Sequence, residues 1–457
     1  MTEPSLDQQI YDDVAMLKLR RFVEDITGGE IVRMERQVRW RPAWFADVAR
    51  EGEILHLHLR GDRAGDLAIF PELRREGDVM HVLSEHGIPV PIIYGYCEDP
   101  PCIVMEAIPG VRDVGILPTD RERASVAREY ISAVAAMHQL PLAPFQAVGV
   151  HAPEGAESIA LVGLEAYLPH YRRTKGKPEP FLEFAQAWLR RNVPRHRTRA
   201  SFIQFDSGQF HVSDGKLAGL YDFEFSMIGD PMVDLATMGM RDSIEPLGVP
   251  LAVICRYYEA ATGVAVDHAV IDYHVLMFAT LGTMQFAGTV GSPQTGDAHS
   301  IYLAWDLSLR QIMLLAMEKM TGATPPLLPP LAAGHSGNAA LIAKLADTIG
   351  AIGGASPLDV AAKQNAADLL EWLGRADEAG DYVRAADIAD VSALLGRNYG
   401  DWSSAEAALE TYAKTAGPSE DAVLLALFAR IEGRRMQLFG PTRIGHSARH
   451  VAMPPTT

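Results

Sequence analysis

The chain has 457 residues, 48% of them hydrophobic, enough for two or three well-cored domains. No window approaches the run of about eighteen apolar residues that a membrane span needs, and the acidic opening MTEPSLDQQIYDD lacks the build of a signal peptide. A net charge of −17 argues against a nucleic-acid partner, and Cys97, Cys102 and Cys255, without zinc spacing, fit a reducing cytoplasm.

In chain order, Leu6, Ile10, Val14 and Leu17 recur at helical spacing, which predicts an amphipathic helix over Leu6–Ile26, stopped at Gly28-Gly29. Val32–Trp40 and Ile54–Arg60 read as strands. In the second, Leu55, Leu57 and Leu59 take one face while His56, His58 and Arg60 take the other. The His-x-His pair has no third ligand nearby and reads as polar lining of a cleft. Pro71–Glu85 reads as a helix, and Ile92–Tyr96 and Cys102–Met105 as strands, making residues 1–106 a strand-rich region.

Thr119 and Glu122 form a capping box that opens a helix carrying Val126, Tyr130, Val134 and Met137 on one face. It closes at His138, which reads as packing. Ser158–Tyr171, Phe181–Val193, Ile254–Thr262, Val270–Thr283 and Ala298–Met320 continue a helical region over 107–320. The Pro-rich stretch 321–337 reads as a linker. Beyond it Asn338–Gly350, Pro357–Gly374, Tyr382–Leu395 and Ser403–Gly440 predict an all-helical domain over 338–440, suited to docking or homodimerisation, with 441–457 as a flexible tail.

The chemistry gathers in Ser201–Ala236. Ser201–Phe205 and Leu217–Tyr221 read as strands that end in Asp206 and Asp222, with Asp214-Gly215 turning a hairpin between them. Of two carboxylates brought together in this way, one can take a proton from a hydroxyl while the other holds a divalent metal on a phosphate.

This stretch resembles the catalytic core of the aminoglycoside phosphotransferase and choline-kinase-like family, through Asp222-Phe223-Glu224 and Gly229-Asp230-Pro231-Met232-Val233-Asp234-Leu235-Ala236. Leu57-His58-Leu59-Arg60, Arg75-Glu76 and Val104-Met105-Glu106 before Pro109-Gly110 extend the resemblance upstream. It implies an α+β, two-lobed protein-kinase-like fold with a small β-rich lobe, a large mostly helical lobe and an added C-terminal helical domain. It also implies transfer of the γ-phosphoryl of ATP, with Mg²⁺, to a hydroxyl of a small molecule. By the same resemblance Arg60 meets nucleotide phosphates and pairs with Glu76, while the backbone of Met105, Glu106 and Ala107 meets the adenine. Asp206 deprotonates the acceptor, Asp222 holds the metal with Glu224 assisting, and Asp234 ties the catalytic loop to the large lobe.

Three departures stand out. The family's His-Gly-Asp is Gln204-Phe205-Asp206 here. Its metal-binding Asn falls on His211 by direct count, or on Gln209 when the following strand sets the alignment; Gln209 has the harder oxygen donor. The first hairpin, Val38–Val48, holds no glycine. These departures carry a second reading, a kinase-fold protein that binds a ligand or partner without transferring phosphate. The run Leu182–Leu189 with Pro194 resembles members associated with acyl-CoA metabolism.

Overall fold

A computed structural model describes residues 6–37, 41–62, 68–294, 297–331, 334–354 and 356–448. The described residues up to Val162, with Pro194–Ile271, form one unit, and Gly163–Val193, with the described residues from Asp272 onward, form another.

The first unit opens with helix α1, Leu6–Thr27. Its buried stripe is Ala15, Leu19 and Val23, at spacing i, i+4, i+8, whereas Val14 and Leu17 of the expected stripe are exposed. Leu19 and Val23 win because they reach the apolar face of the sheet, against Trp44, Val48, Leu57 and Leu59. The side chains of Leu6 and Ile10 lie outside the described residues.

Strands β1 (Glu30–Arg36), β2 (Ala43–Arg50) and β3 (Glu53–Gly61) precede helix α2 (Leu73–Glu85), and β4 (Ile93–Glu98) and β5 (Pro101–Glu106) follow it. All five join one antiparallel sheet in the order β1-β2-β3-β5-β4. β1 ends at Arg36, residues 38–40 of the expected Val32–Trp40 strand lie outside the described residues, and β2 is an additional strand. Its Trp44, Ala46 and Val48 alternate inward, but three alanines dilute the β-propensity of the segment.

Helices α3 (Asp120–Met137), α4 (Ala143–Ala147), α5 (Gly155–Thr174) and α6 (Pro180–Arg191) come next. The Thr119/Glu122 capping box forms as expected. Four short strands follow, β6 (Ser201–Ile203), β7 (Phe210–Ser213), β8 (Lys216–Leu220) and β9 (Met227–Gly229), then helices α7 (Met232–Arg241) and α8 (Leu251–Thr262). The pairing differs from the one expected. β8 pairs with β7 around Asp214-Gly215, while β6 pairs with β9, so the hairpin does not by itself join Asp206 to Asp222. Apolar residues at 202 and 203 demand burial, and the antiparallel Met227–Gly229 supplies the ladder.

The second unit holds no strand among its described residues. Its later helices are α9 (His268–Gly291, entered from the first unit), α10 (His299–Thr321), α11 (Ala339–Ala351), α12 (Pro357–Leu395), α13 (Trp402–Thr415), α14 (Asp421–Phe439) and α15 (Arg443–Ala448). α12 merges two expected helices, because isolated glycines at 374 and 380 cost only about 1 kcal/mol each in a long helix. The expected Ser403–Gly440 helix divides at Gly417-Pro418, where proline excludes a continuing helix. The segment read as a tail contains α15, whose Ile444 and Ala448 pack on Leu303, Leu307 and Phe439. Among the described residues no helix is long and apolar enough to cross a membrane.

A β-rich lobe followed by a helical lobe, with further helices toward the C-terminus, is the two-lobed protein-kinase-like α+β architecture.

Candidate active site

The loop after β6 is built by satisfying its own backbone. Asp234, on α7 and fully buried, accepts from the N–H groups of Gln204 (3.0 Å) and Phe205 (2.8 Å). Thr237 Oγ1 accepts from Ser207 N at 3.2 Å, and Tyr130 Oη accepts from Gly208 N at 2.7 Å. Buried amides left without acceptors would each cost about 1–3 kcal/mol, so these side chains fix the loop's path. His138 Nε2 meets the same Asp234 at 2.9 Å, and its Nδ1 meets Tyr258 Oη at 2.9 Å. Asp234 thus ties the loop to α3, α7 and α8, and His138 is a buried structural link.

The divergent residues of the loop have definite tasks. Gln204 donates through Nε2 to Tyr221 O at 2.6 Å, and Tyr221 N donates to Gln209 O at 3.2 Å. These two bonds staple the Asp206 loop to the strand end that carries Asp222. Phe205 takes the place of the family's glycine at φ 72°, and Asp222 sits at φ 66°. Left-handed backbone at a non-glycine residue costs about 1–2 kcal/mol. Phe205 is fully buried, and burial of its ring offsets that strain.

Around the loop the acids alternate with guanidinium groups. Arg60 Nε donates to Glu76 at 2.8 Å, and its Nη2 donates to Asp222 Oδ1 at 2.6 Å. Arg41, from the turn between β1 and β2, binds Glu224 and lies 3.9 Å from Glu76. Arg241, the last residue of α7, binds Asp206 Oδ1, while Gln209 Nε2 donates to Asp206 Oδ2 at 3.2 Å. Arg75 donates to the carbonyl of Ser226 at 2.5 Å and fastens the segment after Glu224. Burial pushes the Asp206 carboxyl up; Arg241 opposes that, and the negative charges of Asp222 and Glu224 add to it. Burial likewise raises Glu76 in spite of Arg60.

Asp206, Gln209, Asp222, Glu224, Arg60 and Glu76 therefore converge. Met105 lies in β5, and the N–H groups of Glu106 and Ala107 are committed to Ile92 O (2.8 Å) and His56 O (2.9 Å). His211 turns to Ile108 O at 3.1 Å and stacks edge-on against Tyr221. His56 is exposed and bonds Asp47 at 2.7 Å. Among the described residues no cluster of three or more His, Cys, Asp or Glu is assembled for a metal. Asp206, Asp222 and Glu224 carry carboxylate oxygens and Gln209 an amide oxygen, which is chemistry suited to a hard cation such as Mg²⁺.

Sequence reasoning does not reach Arg41 or Arg241, whose partners lie 183 and 35 residues away. A signal for Arg241 was present: Asp234, Thr237 and Arg241, at i, i+3 and i+7, share one face of α7.

The model of the phosphotransferase enzyme family matches residues 44–270. Acyl-CoA dehydrogenase family member 11 of Homo sapiens is 27% identical over 179 residues, 36% of this chain and 22% of that protein. Member 10 of the same family from Mus musculus is 26% identical over 178 residues, 36% of this chain and 16% of that protein. The chain thus spans less than a quarter of either relative. Among solved structures, a provisional aminoglycoside phosphotransferase from Ralstonia eutropha is 19% identical, with a TM-score of 0.49 over 68% of this chain and 99% of that one. The macrolide 2′-phosphotransferase MphH from Brachybacterium faecium is 18% identical, with a TM-score of 0.44 over 63% and 96%. Residues 44–270, the segment that holds Asp206, Asp222 and Asp234, belong to the phosphotransferase enzyme family.

Proposed function

We propose that this chain is an ATP-dependent phosphotransferase that moves the γ-phosphoryl of ATP to a hydroxyl of a small molecule. The supporting observation is the stapling of the Asp206 loop to the Asp222 strand end beside the Arg60–Glu76 pair. The acceptor oxygen attacks the γ-phosphorus, the bond to the bridging oxygen breaks, ADP leaves, and the hydroxyl proton passes to Asp206. A carboxyl pushed up by burial is the better proton acceptor. Arg60, oriented by Glu76, holds phosphate oxygens, and the hinge backbone at Met105, Glu106 and Ala107 borders the adenine. Asp222 and Gln209, with Glu224, would hold Mg²⁺, which when bound supplies neutralisation of phosphate charge. A cytoplasmic setting belongs to this reading.

Pairing of Asp206, Asp222 and Glu224 with arginines favours a second reading, a kinase-fold binder that does not turn over. Thermal unfolding separates the two. Mg·ATP should raise the melting temperature by linkage, and Asp222→Ala should remove that rise. Asp206→Asn should keep the rise while transfer falls about 10³-fold. The acceptor panel starts with aminoglycosides and, from the resemblance of Leu182–Leu189 to members associated with acyl-CoA metabolism, hydroxyacyl compounds. No response to nucleotide sinks the kinase reading, and a rise without transfer to any acceptor or to water supports the binder.

A further inference from the structure

The α7 face that carries Asp234 and Thr237 ends in a residue with a different target. Asp234 and Thr237 hold backbone N–H groups, whereas Arg241 reaches the carboxylate of Asp206 itself. Its Nε donates to Ser207 O at 3.1 Å and its Nη1 to Glu245 Oε2 at 3.1 Å, so three acceptors fix the fork. Glu245 is also paired with Arg112. The Arg241 stem lies over Gly208, where a Cβ would come within 2.9 Å of its Cδ. Planar, fixed guanidinium geometry is what distinguishes such a contact from a mobile lysine.

We infer that Arg241 is a positioning residue for phosphotransfer, setting the plane of the Asp206 carboxylate and leaving Oδ2 as the oxygen that takes the acceptor proton. Oδ1 is engaged by a cation, whereas among the described residues Oδ2 accepts only from the neutral Gln209 amide at 3.2 Å. A carboxylate oxygen offers two lone-pair sites, so Oδ2 retains one for the hydroxyl proton. Glu245 acts a step further out, by holding Arg241.

This rests on Asp206 as the base, and the experiment separates the two claims. Phosphate release from Mg·ATP, with water standing in for the acceptor hydroxyl, is followed for the full chain and for Asp206→Asn, Arg241→Gln, Arg241→Lys, Glu245→Gln and the Asp206→Asn/Arg241→Gln double variant. Arg241→Gln should lower kcat about 100-fold with KM for ATP unchanged, the size expected when a reacting group is misplaced by about 1 Å. Arg241→Lys should recover about tenfold of that, and Glu245→Gln should lose less than Arg241→Gln. The double variant should be no slower than Asp206→Asn alone, because the two residues act as a unit. If Asp206→Asn turns over like the parent, or the parent transfers phosphate neither to water nor to any acceptor of the panel, the base assignment fails and the inference fails with it. If Asp206→Asn is inactive while Arg241→Gln matches the parent, or loses only in KM, the inference is overturned and the base assignment stands. An additive double variant also overturns it. Should Arg241→Gln not fold, Arg241→Lys and Glu245→Gln carry the same kcat and KM test.

Discussion

Both units bury arginine–carboxylate networks, but on different backbones and to different effect. In the helical unit Arg310 is buried among Glu179 (2.6 Å), Asp306 (3.0 Å) and Glu432 (3.2 Å), and Arg435 adds a second bond to Asp306 at 2.6 Å. Asp306 and Arg310 project from α10 and Glu432 and Arg435 from α14, while Glu179 holds the N-cap position of α6. Burial works against the Asp306 charge, yet its two arginines hold the carboxyl below the usual range. In the strand-bearing unit Asp206 and Glu76 share similar partners, but burial leaves both raised. There the chain also turns left-handed at Phe205 and Asp222. A raised carboxyl alone does not mark a site. Asp387 and Glu406, in the helical unit, are both pushed by burial to about 7 with no strained backbone beside them. Convergent acids on strained loops make the candidate site stand apart.

If that contrast is right, removing an arginine has a different signature in each unit. Arg310→Met should cost about 3–5 kcal/mol of stability, because three buried carboxylates lose their shared cation. Urea unfolding at neutral pH measures it, and transfer per folded molecule should be unchanged. An unaltered unfolding midpoint would remove the distinction between the two networks. Arg241→Gln should weigh the other way, costing less stability because Asp206 and Glu245 are more exposed than the partners of Arg310, and slowing turnover.

Acid unfolding sharpens the same comparison. Glu183 is opposed by burial, yet Arg172 and Lys175 (2.9 Å) hold its carboxyl down at about 2. An unfolded glutamate titrates at about 4.3. The folded group is thus depressed, and its contribution is complete above that value and is lost as pH falls toward about 2. The loss amounts to roughly 3 kcal/mol. Urea midpoints of the parent and Glu183→Gln should converge as the pH drops through this window. The sign reverses at Asp206: its raised carboxyl makes the ionised form a burden on the fold, so Asp206→Asn should raise the midpoint at neutral pH.

The legible parts of the molecule are those whose roles are set by near neighbours. Gly229–Ala236 fixes a helix start and a buried Asp234 whose two amide partners follow directly from its carboxylate chemistry. Arg60 and Glu76 were legible because a strand and the next helix bring them together at 2.8 Å. Pairing of β6 with β9 was not, since a three-residue strand is too short to carry a period. The first helix misled because Val14 and Leu17 have the right spacing, and only the sheet decides that Leu19 and Val23 face it. Arg41 was hidden by the long chain separation from Glu224, and nothing local marks a turn arginine as buried.

Two glycines of the candidate segment offer the finest test of how far the loop is built around Arg241. Gly215 has φ 73°, in the turn with Asp214 at φ 51°, and a Cβ there would meet nothing within 4 Å. Gly215→Ala should therefore cost only the left-handed backbone, about 1 kcal/mol, with turnover unchanged. Gly208 has φ 93°, so alanine carries a comparable backbone cost, but its Cβ would also press on the Arg241 stem. That stem cannot swing aside freely, because its head is bound to Asp206, Ser207 and Glu245. Gly208→Ala should then lose turnover beyond what its change in unfolding midpoint accounts for, while Gly215→Ala loses stability alone. Equal kinetic behaviour of the two variants, measured as phosphate release per folded molecule, would mean that Arg241 yields without consequence and that Asp206 keeps its orientation unaided.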